Sequence, residues 1–495
     1  MQAVHGVKWT GVSTIITTAL LYIRLAVLAH LLSPRDFGLM GMVLMIIGFG
    51  QAFADMGISN AIIWKQDVTS EQLSTLYWLN ILASIAVFGI VIAISPFVSA
   101  FFHQPRLTNL VYWVAFIFPI TAVGQQFQML LQKELRFKSL AKVEVASTAL
   151  GTAVAITAAF MHQGVYALVW GQLTASVSMA LLYAVTGWRK WHPRLIFKPK
   201  KLQGMISFGL YQMGERTMNF FAFNVDYIMV GRFLGPKPLG VYMLAWQLMV
   251  QPAAKFNPIL TRVAFPVFSR RQSDDGALRR GYVELSKMVA VLTFPIMVLA
   301  AVTAPVLVPA IFGPQWTAAV PIVQIFLLLG LLRSLTNPVS SLLLAKGRAD
   351  IGFELSIGVA VVSAVVFWFA AQAGLIVMAW AEVAVFALIF IVVMLILNRL
   401  IGLKFSHYFK DIGKPTLLAA VAGGATYGFY QALKGVIHSN LYLLIILVVL
   451  GVLAYGLLVA LFEREYFLTY FWLFLGKKRQ KVPAPDRDVD QSDLD

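Results

Sequence analysis

Apolar stretches of 18 or more residues recur along almost the whole of this chain, from about residue 10 to about residue 462. Each is long enough to cross a hydrocarbon core of about 30 Å. A membrane offers the backbone no water, and a helix satisfies its own N–H and C=O groups, so each stretch reads as a membrane helix. Only 12% of the 495 residues are charged, against about 25% in soluble domains, and the mean hydropathy is +0.79. The apolar content is spread evenly, which leaves no room for a sizeable soluble domain.

Fourteen helices fit, at approximately 10–32, 38–62, 76–100, 108–131, 139–161, 164–187, 204–232, 239–262, 286–311, 319–345, 351–371, 376–398, 415–433 and 440–462. The first, about Gly11 to Leu32, is too long for the apolar region of a signal peptide and lacks an A-x-A exit, so it is expected to be retained. The absence of cysteine excludes disulfides and thiolate metal sites.

The net charge of +17 would suggest nucleic acid in a soluble protein, but inner loops of membrane proteins collect Lys and Arg. With the N-terminus inside, inner segments hold about 29 of the 39 basic residues and outer segments about five. That split predicts an even number of helices, with both termini cytoplasmic. No nucleic-acid-binding module surrounds the basic clusters.

The chain also repeats itself. Leu32-Ser-Pro-Arg-Asp-Phe-Gly38 returns as Leu234-Gly-Pro-Lys-Pro-Leu-Gly240, 202 residues on. Leu130-Leu-Gln-Lys133 returns as Leu343-Leu-Ala-Lys346, 213 residues on. Six helices per copy keep one orientation, so the copies are expected to relate by an axis along the membrane normal. The expected division is an N-lobe (1–187), a basic cytoplasmic linker (188–203), a C-lobe (204–400) and two extra helices (401–463). An interfacial segment and disordered cytoplasmic tail (464–495) end the chain.

Five cations lie where water should not reach: Arg24, Lys142, Arg216, Lys255 and Arg333. A charge at the bilayer centre costs at least about 2.5–3.5 kcal/mol, so such residues usually face a bundle interior or a wet cavity. A basic interior suggests a pathway for something anionic, and arginine suits phosphate because its planar fork binds two oxygens. Gln247, Gln251 and Lys255 fall on one helix face at i, i+4 and i+8, and Arg333 and Asn337 pair at i, i+4. Arg24, Arg216, Lys255, Arg333, Gln251 and Asn337 are therefore the candidate cavity residues. The acidic residues Asp55, Glu215, Asp226 and Glu382 are candidates for H⁺ or Na⁺ coupling. Alternatively they neutralise the arginines in interhelical ion pairs, and Lys142 and Lys255 reach the inner surface by snorkelling. No P-loop, H-E-x-x-H, metal-spaced His cluster or G-x-S-x-G elbow occurs, so no catalytic residue, metal site or cofactor is expected.

Several segments resemble one family closely. Phe37–Val43 with Asp55–Ala61, Thr75–Asn80, Gln125–Phe137, Lys255–Pro266, and Leu332–Pro338 running on to Lys346–Phe353 are similar to the WzxC-type polysaccharide flippases, the colanic-acid exporter group. That group belongs to the multidrug/oligosaccharidyl-lipid/polysaccharide (MOP) exporter superfamily, and the resemblance covers roughly residues 1–400. It implies two six-helix lobes, alternating access and a cationic central cavity. It implies a substrate too: an undecaprenyl-pyrophosphate-linked repeat unit flipped across a bacterial inner membrane for exopolysaccharide synthesis. Polymerase and export machinery are the implied partners, beside the lipids themselves. Lys255, Asn257 and Arg262 match one motif and Arg333, Asn337 and Pro338 another, whereas Arg24 matches none. Two other readings remain. A MATE-type cation-coupled drug antiporter should prefer an acidic cavity. A polysaccharide polymerase or ligase needs an outer loop bearing Arg and His, and the expected outer loops are short.

Overall fold

The computed structural model describes residues 2–54, 68–202, 205–336 and 338–462. Asp55 and Asn337 lie outside these, and the side chains of residues 251–267, with Gln251, Lys255, Asn257 and Arg262 among them, lie outside the description too. Among the described residues the fold is all-α, without strands. The first half runs α1 (Gln2–Leu31), α2 (Pro34–Ala54), α3 (Ser70–Phe101), α4 (Arg106–Ala115), α5 (Ile117–Lys133), α6 (Phe137–Phe160) and α7 (Val165–Trp188). The second runs α8 (Met205–Leu234), α9 (Pro236–Ser269), α10 (Asp275–Phe312), α11 (Val320–Thr336), α12 (Pro338–Ala345), α13 (Ala349–Ala373) and α14 (Leu375–Ile401). Then come α15 (Phe405–Leu433) and α16 (Asn440–Phe462), packed on α10 and on each other.

Eleven helical segments among the described residues are long and apolar enough to span a membrane. α8, α9 and α15 are long enough, at 30, 34 and 29 residues, but fall outside that set. α8 and α9 are more polar, and both pack at the centre of the bundle, against α2 and each other. The expectation of a single helix at 108–131 needs correcting in detail. α4 ends at Ala115 and α5 begins at Ile117, because Pro119 has no N–H to give the Ala115 carbonyl. Pro96, Pro295 and Pro305, by contrast, sit inside continuous helices.

The two halves follow the same order of elements, and some of their turns share features. Gly164 before α7 and Gly374 before α14 both take positive φ (56° and 116°). After α5, Arg136 N–H donates to the Leu131 carbonyl while Leu135 takes φ 56°. After α12, Arg348 N–H donates to Leu343 while Gly347 takes φ 68°. This is the helix-ending turn that glycine makes cheaply. The equivalent residues are 212 apart, one fewer than the letter match suggests, since hydrogen bonding and not residue identity sets the register.

The turns at 32–33, 102–105, 161–164, 235 and 313–319 gather at one end, called here the short-loop end; 189–202, 270–274 and 346–348 mark the basic end. At the short-loop end the halves are locked together. A Cβ on Gly38 would lie 1.7 Å from the Pro236 carbonyl oxygen, and one on Gly240 would lie 1.9 Å from that of Pro34. The two repeat copies thus cross backbone to backbone, as small residues allow in membrane helices. Trp316, fully buried, donates from its indole to the Ala29 carbonyl at 2.9 Å and stands edge-on to Phe37. Arg232 meets His103 beside them. At the basic end the segment after α7 straps across the start of α3: Trp78 donates to the Arg194 carbonyl (2.8 Å) and Lys198 pairs with Glu71 (3.0 Å).

Candidate functional site

Under the short-loop seal, α1, α2, α6, α7 and α9 line a partly open cavity of about 430 Å³. Its polar lining is Thr18, Tyr22, Arg24, Gln172 and Gln247. Among the described residues Arg24 is the only charged one lining it, and no carboxylate pairs with it. Seven residues separate Arg24 from the end of α1, which puts it about 10 Å below the seal. The remainder of the wall is apolar: Leu21, Leu25, Leu28, Phe37, Met40, Leu44 and Met243 among others. An unpaired guanidinium among uncharged hydrogen-bonding groups can hold an anion and leave sugar hydroxyls to the amides and the phenol.

The other expected residues separate into distinct places. Arg333 is not in the cavity wall. Its guanidinium lies between the rings of Trp246 (4.8 Å to the centroid) and Phe386 (4.5 Å), within electrostatic reach of Asp226 and Glu382. Asp226 and Glu382, 4% and 2% exposed, come together on the hydroxyl of Tyr242, at 3.1 and 3.0 Å. Arg216 is half-buried on α8 and engaged with other residues, and Glu215 beside it is exposed. Lys142 is exposed near the start of α6, as snorkelling requires.

α9 carries both features. Met243 and Gln247, at i and i+4, face the cavity; Tyr242 and Trp246, one residue back and so about 100° round, face the carboxyl pair and Arg333. Sequence reasoning missed Tyr22, Gln172 and Tyr242. Gln172 stands alone in an apolar helix and was open to the same argument as Arg24. A tyrosine in a membrane helix gives no such signal.

Comparison with known proteins places these features in a family. The "Lipid II flippase MurJ, inward closed conformation" superposes with a TM-score of 0.73 over 92% of this chain and 99% of that one, at 13% identity. An inward-facing multidrug resistance MATE family transporter of the MOP superfamily gives 0.57 over 78% and 98%, at 14% identity. At such identities the likeness is one of fold. In sequence, the "Teichuronic acid biosynthesis protein TuaB" of Bacillus subtilis (strain 168) is 36% identical over 86% of this chain and 89% of its own length. The "Lipopolysaccharide biosynthesis protein WzxC" of Escherichia coli (strain K12) is 32% identical over 72% of each. The profile of a family described as "Polysaccharide biosynthesis protein" matches residues 27–321, more than half of the 495, and the chain belongs to that family.

Proposed function

We propose that this protein is a flippase that moves an undecaprenyl-pyrophosphate-linked oligosaccharide repeat across the bacterial inner membrane for exopolysaccharide synthesis. The observation that carries the reading is Arg24: the one charged group among the described residues lining a partly open cavity between the first half of the fold and α9. Relatives named for teichuronic acid and lipopolysaccharide biosynthesis support the cargo class, and MurJ supports the fold for a lipid-linked glycan. In this reading Arg24 binds the pyrophosphate while Tyr22, Gln172 and Gln247 meet sugar hydroxyls. The polyprenyl tail stays in lipid. The row from Gln247 continues on helical spacing to Gln251 and Lys255, and with Arg216 and Asn337 it leads the anion from the basic end.

The short-loop end is then periplasmic, the basic end and both termini cytoplasmic, and the two halves are the lobes of an alternating-access machine. In this reading the seal closes the periplasmic side. A MATE-type drug antiporter fits less well, because a cationic drug meets an arginine and no acidic group among the described residues of this cavity. Polymerase or ligase chemistry finds no catalytic constellation among the described residues.

The test is export of polymer by a strain whose own copy is deleted. A charge-assisted contact is worth about 1.5–3 kcal/mol, so Arg24→Ala should lower the rate of export roughly 10- to 100-fold, with the protein still present in the membrane. Arg24→Lys keeps the charge and should retain part of the activity. Full export by Arg24→Ala would remove the cavity's assigned role.

A further inference from the structure

Tyr242 stands between two carboxyls but has only one proton to give. Its hydroxyl oxygen is 3.1 Å from Asp226 Oδ2 and 3.0 Å from Glu382 Oε1, and all three side chains are buried. If both carboxyls were ionised, one would face the phenol lone pair against lone pair at hydrogen-bond distance. The arrangement closes only when one carboxyl is protonated and donates to the phenol oxygen, while the phenol donates to the other. Glu382 Oε2 is buried with no hydrogen-bond partner among the described residues, which a neutral carboxyl tolerates better than an ionised one.

The charges agree. Among the described residues the groups that act on the pair are Tyr227 of α8, Tyr242 of α9 and Arg333 of α11, and no titratable group of α10 or α13 joins them. One carboxylate, one carboxylic acid and the Arg333 guanidinium sum to zero. Losing the proton leaves a net negative charge in a dry interior, which is costly. A sodium ion fits poorly. Hard cations want about six or more oxygens, whereas here the phenol occupies the space between the carboxyls and a guanidinium stands alongside.

We propose that Asp226, Tyr242 and Glu382 form a proton-binding site, and that release of its single proton drives α9 away from the sealed arrangement seen here. The proton leaves the donating carboxyl for water; the phenol can then satisfy only one of two carboxylates, and α8 and α14 are pushed apart from their shared contact on α9. That helix carries Gly240 in the seal and Met243 and Gln247 in the cavity wall. Loss of the proton thus opens the short-loop end. The inference deepens the transport reading by naming its coupling ion, but the site exists whatever the cargo.

The test uses the purified full chain in lipid nanodiscs, with no glycan present, so its outcome is separate from that of the export assay. Infrared spectroscopy at neutral pH should show the carbonyl band of a buried protonated carboxyl, shifted in D₂O and lost in both E382Q and D226N. Y242F, which keeps the shape of the side chain, should move the band by removing its acceptor. Because the chain has no native cysteine, spin labels at Q163C and T317C, exposed on the two halves at the short-loop end, report opening. Their separation should increase as pH rises in the otherwise unaltered protein, stay fixed across pH in E382Q, and ignore exchange of Na⁺ for K⁺. Absence of the band, its survival in both E382Q and D226N, or a separation that follows Na⁺ at constant pH overturns the proposal.

Discussion

Two half-buried arginines show how differently the same side chain can be used. Arg24 lines a cavity without a described counter-charge, whereas Arg333 is clamped between two rings and faces two carboxyls. An unmatched buried charge costs stability, and functional sites commonly carry such a cost. Each cation–π contact contributes about 0.5–2 kcal/mol and exploits the planar guanidinium, which lysine lacks. Arg333→Lys should therefore lower the thermal unfolding temperature of the purified protein, and Arg333→Ala should lower it further by stranding the acidic pair. Arg24→Ala should leave it unchanged or raise it. Size-exclusion recovery after heating separates these outcomes, and equal losses for Arg24→Ala and Arg333→Ala would mean that Arg24 too is a structural residue. Both arginines were legible in the sequence because a charge in an apolar run stands out. Their separation into cavity and clamp was not, since it depends on which side of α9 each helix approaches. Nor was the meeting of Tyr242 with a carboxyl 140 residues away.

At the scale of elements, the repeat visible as Pro34–Gly38 and Pro236–Gly240 turns out to be a contact between the two copies. Each glycine gives up its side chain to the other copy's proline carbonyl. Sequence comparison finds the two motifs but cannot tell that they touch, because local letters carry no information on how two helix pairs cross. The same limit explains the one-residue slip at the other repeated turn, where Leu135 and Gly347 play one role in different letters. Gly38→Ala and Gly240→Ala each force a methyl into a backbone oxygen, and overpacking of this kind costs about 1–3 kcal/mol. Acting on the sealed state alone, that cost should favour opening roughly tenfold or more. A single cysteine replacing Met243 in the cavity wall reads this directly. A membrane-impermeant thiol reagent applied from the short-loop side should label it slowly in the parent and at least about ten times faster with either alanine. The two substitutions damage one contact, so the double variant should open little further than either alone. Unchanged labelling in both would mean that the crossing is not what holds the end shut.

For the whole molecule, the sequence announces a bundle of membrane helices and hides its conformation. Apolar periodicity, loop charge and internal repeats are the same whether the halves close at one end or at the other, since they describe each helix and loop and not how distant helices meet. The interlocked residues at the short-loop end decide the matter here: Gly38 against Gly240, Trp316 on the Ala29 carbonyl, Gln315 on the carbonyls of Ala29 and His30, Arg232 against His103. Alternating access requires all of these to part once in each cycle. His30 and Gln315 are exposed and lie on opposite halves, with the Gln315 amide 3.2 Å from the His30 carbonyl oxygen. Cysteines at both positions, in a chain that has none of its own, can be joined by a short reversible bis-thiosulfonate. Joined, the protein should export no polymer; treated with reductant, it should recover the activity of the unjoined double variant. Each single cysteine given the same reagent should export normally, which separates the tether from simple modification. Continued export by the fully joined protein would mean that cargo passes without parting the halves at this end, and the seal would then be a fixed hinge instead of a gate.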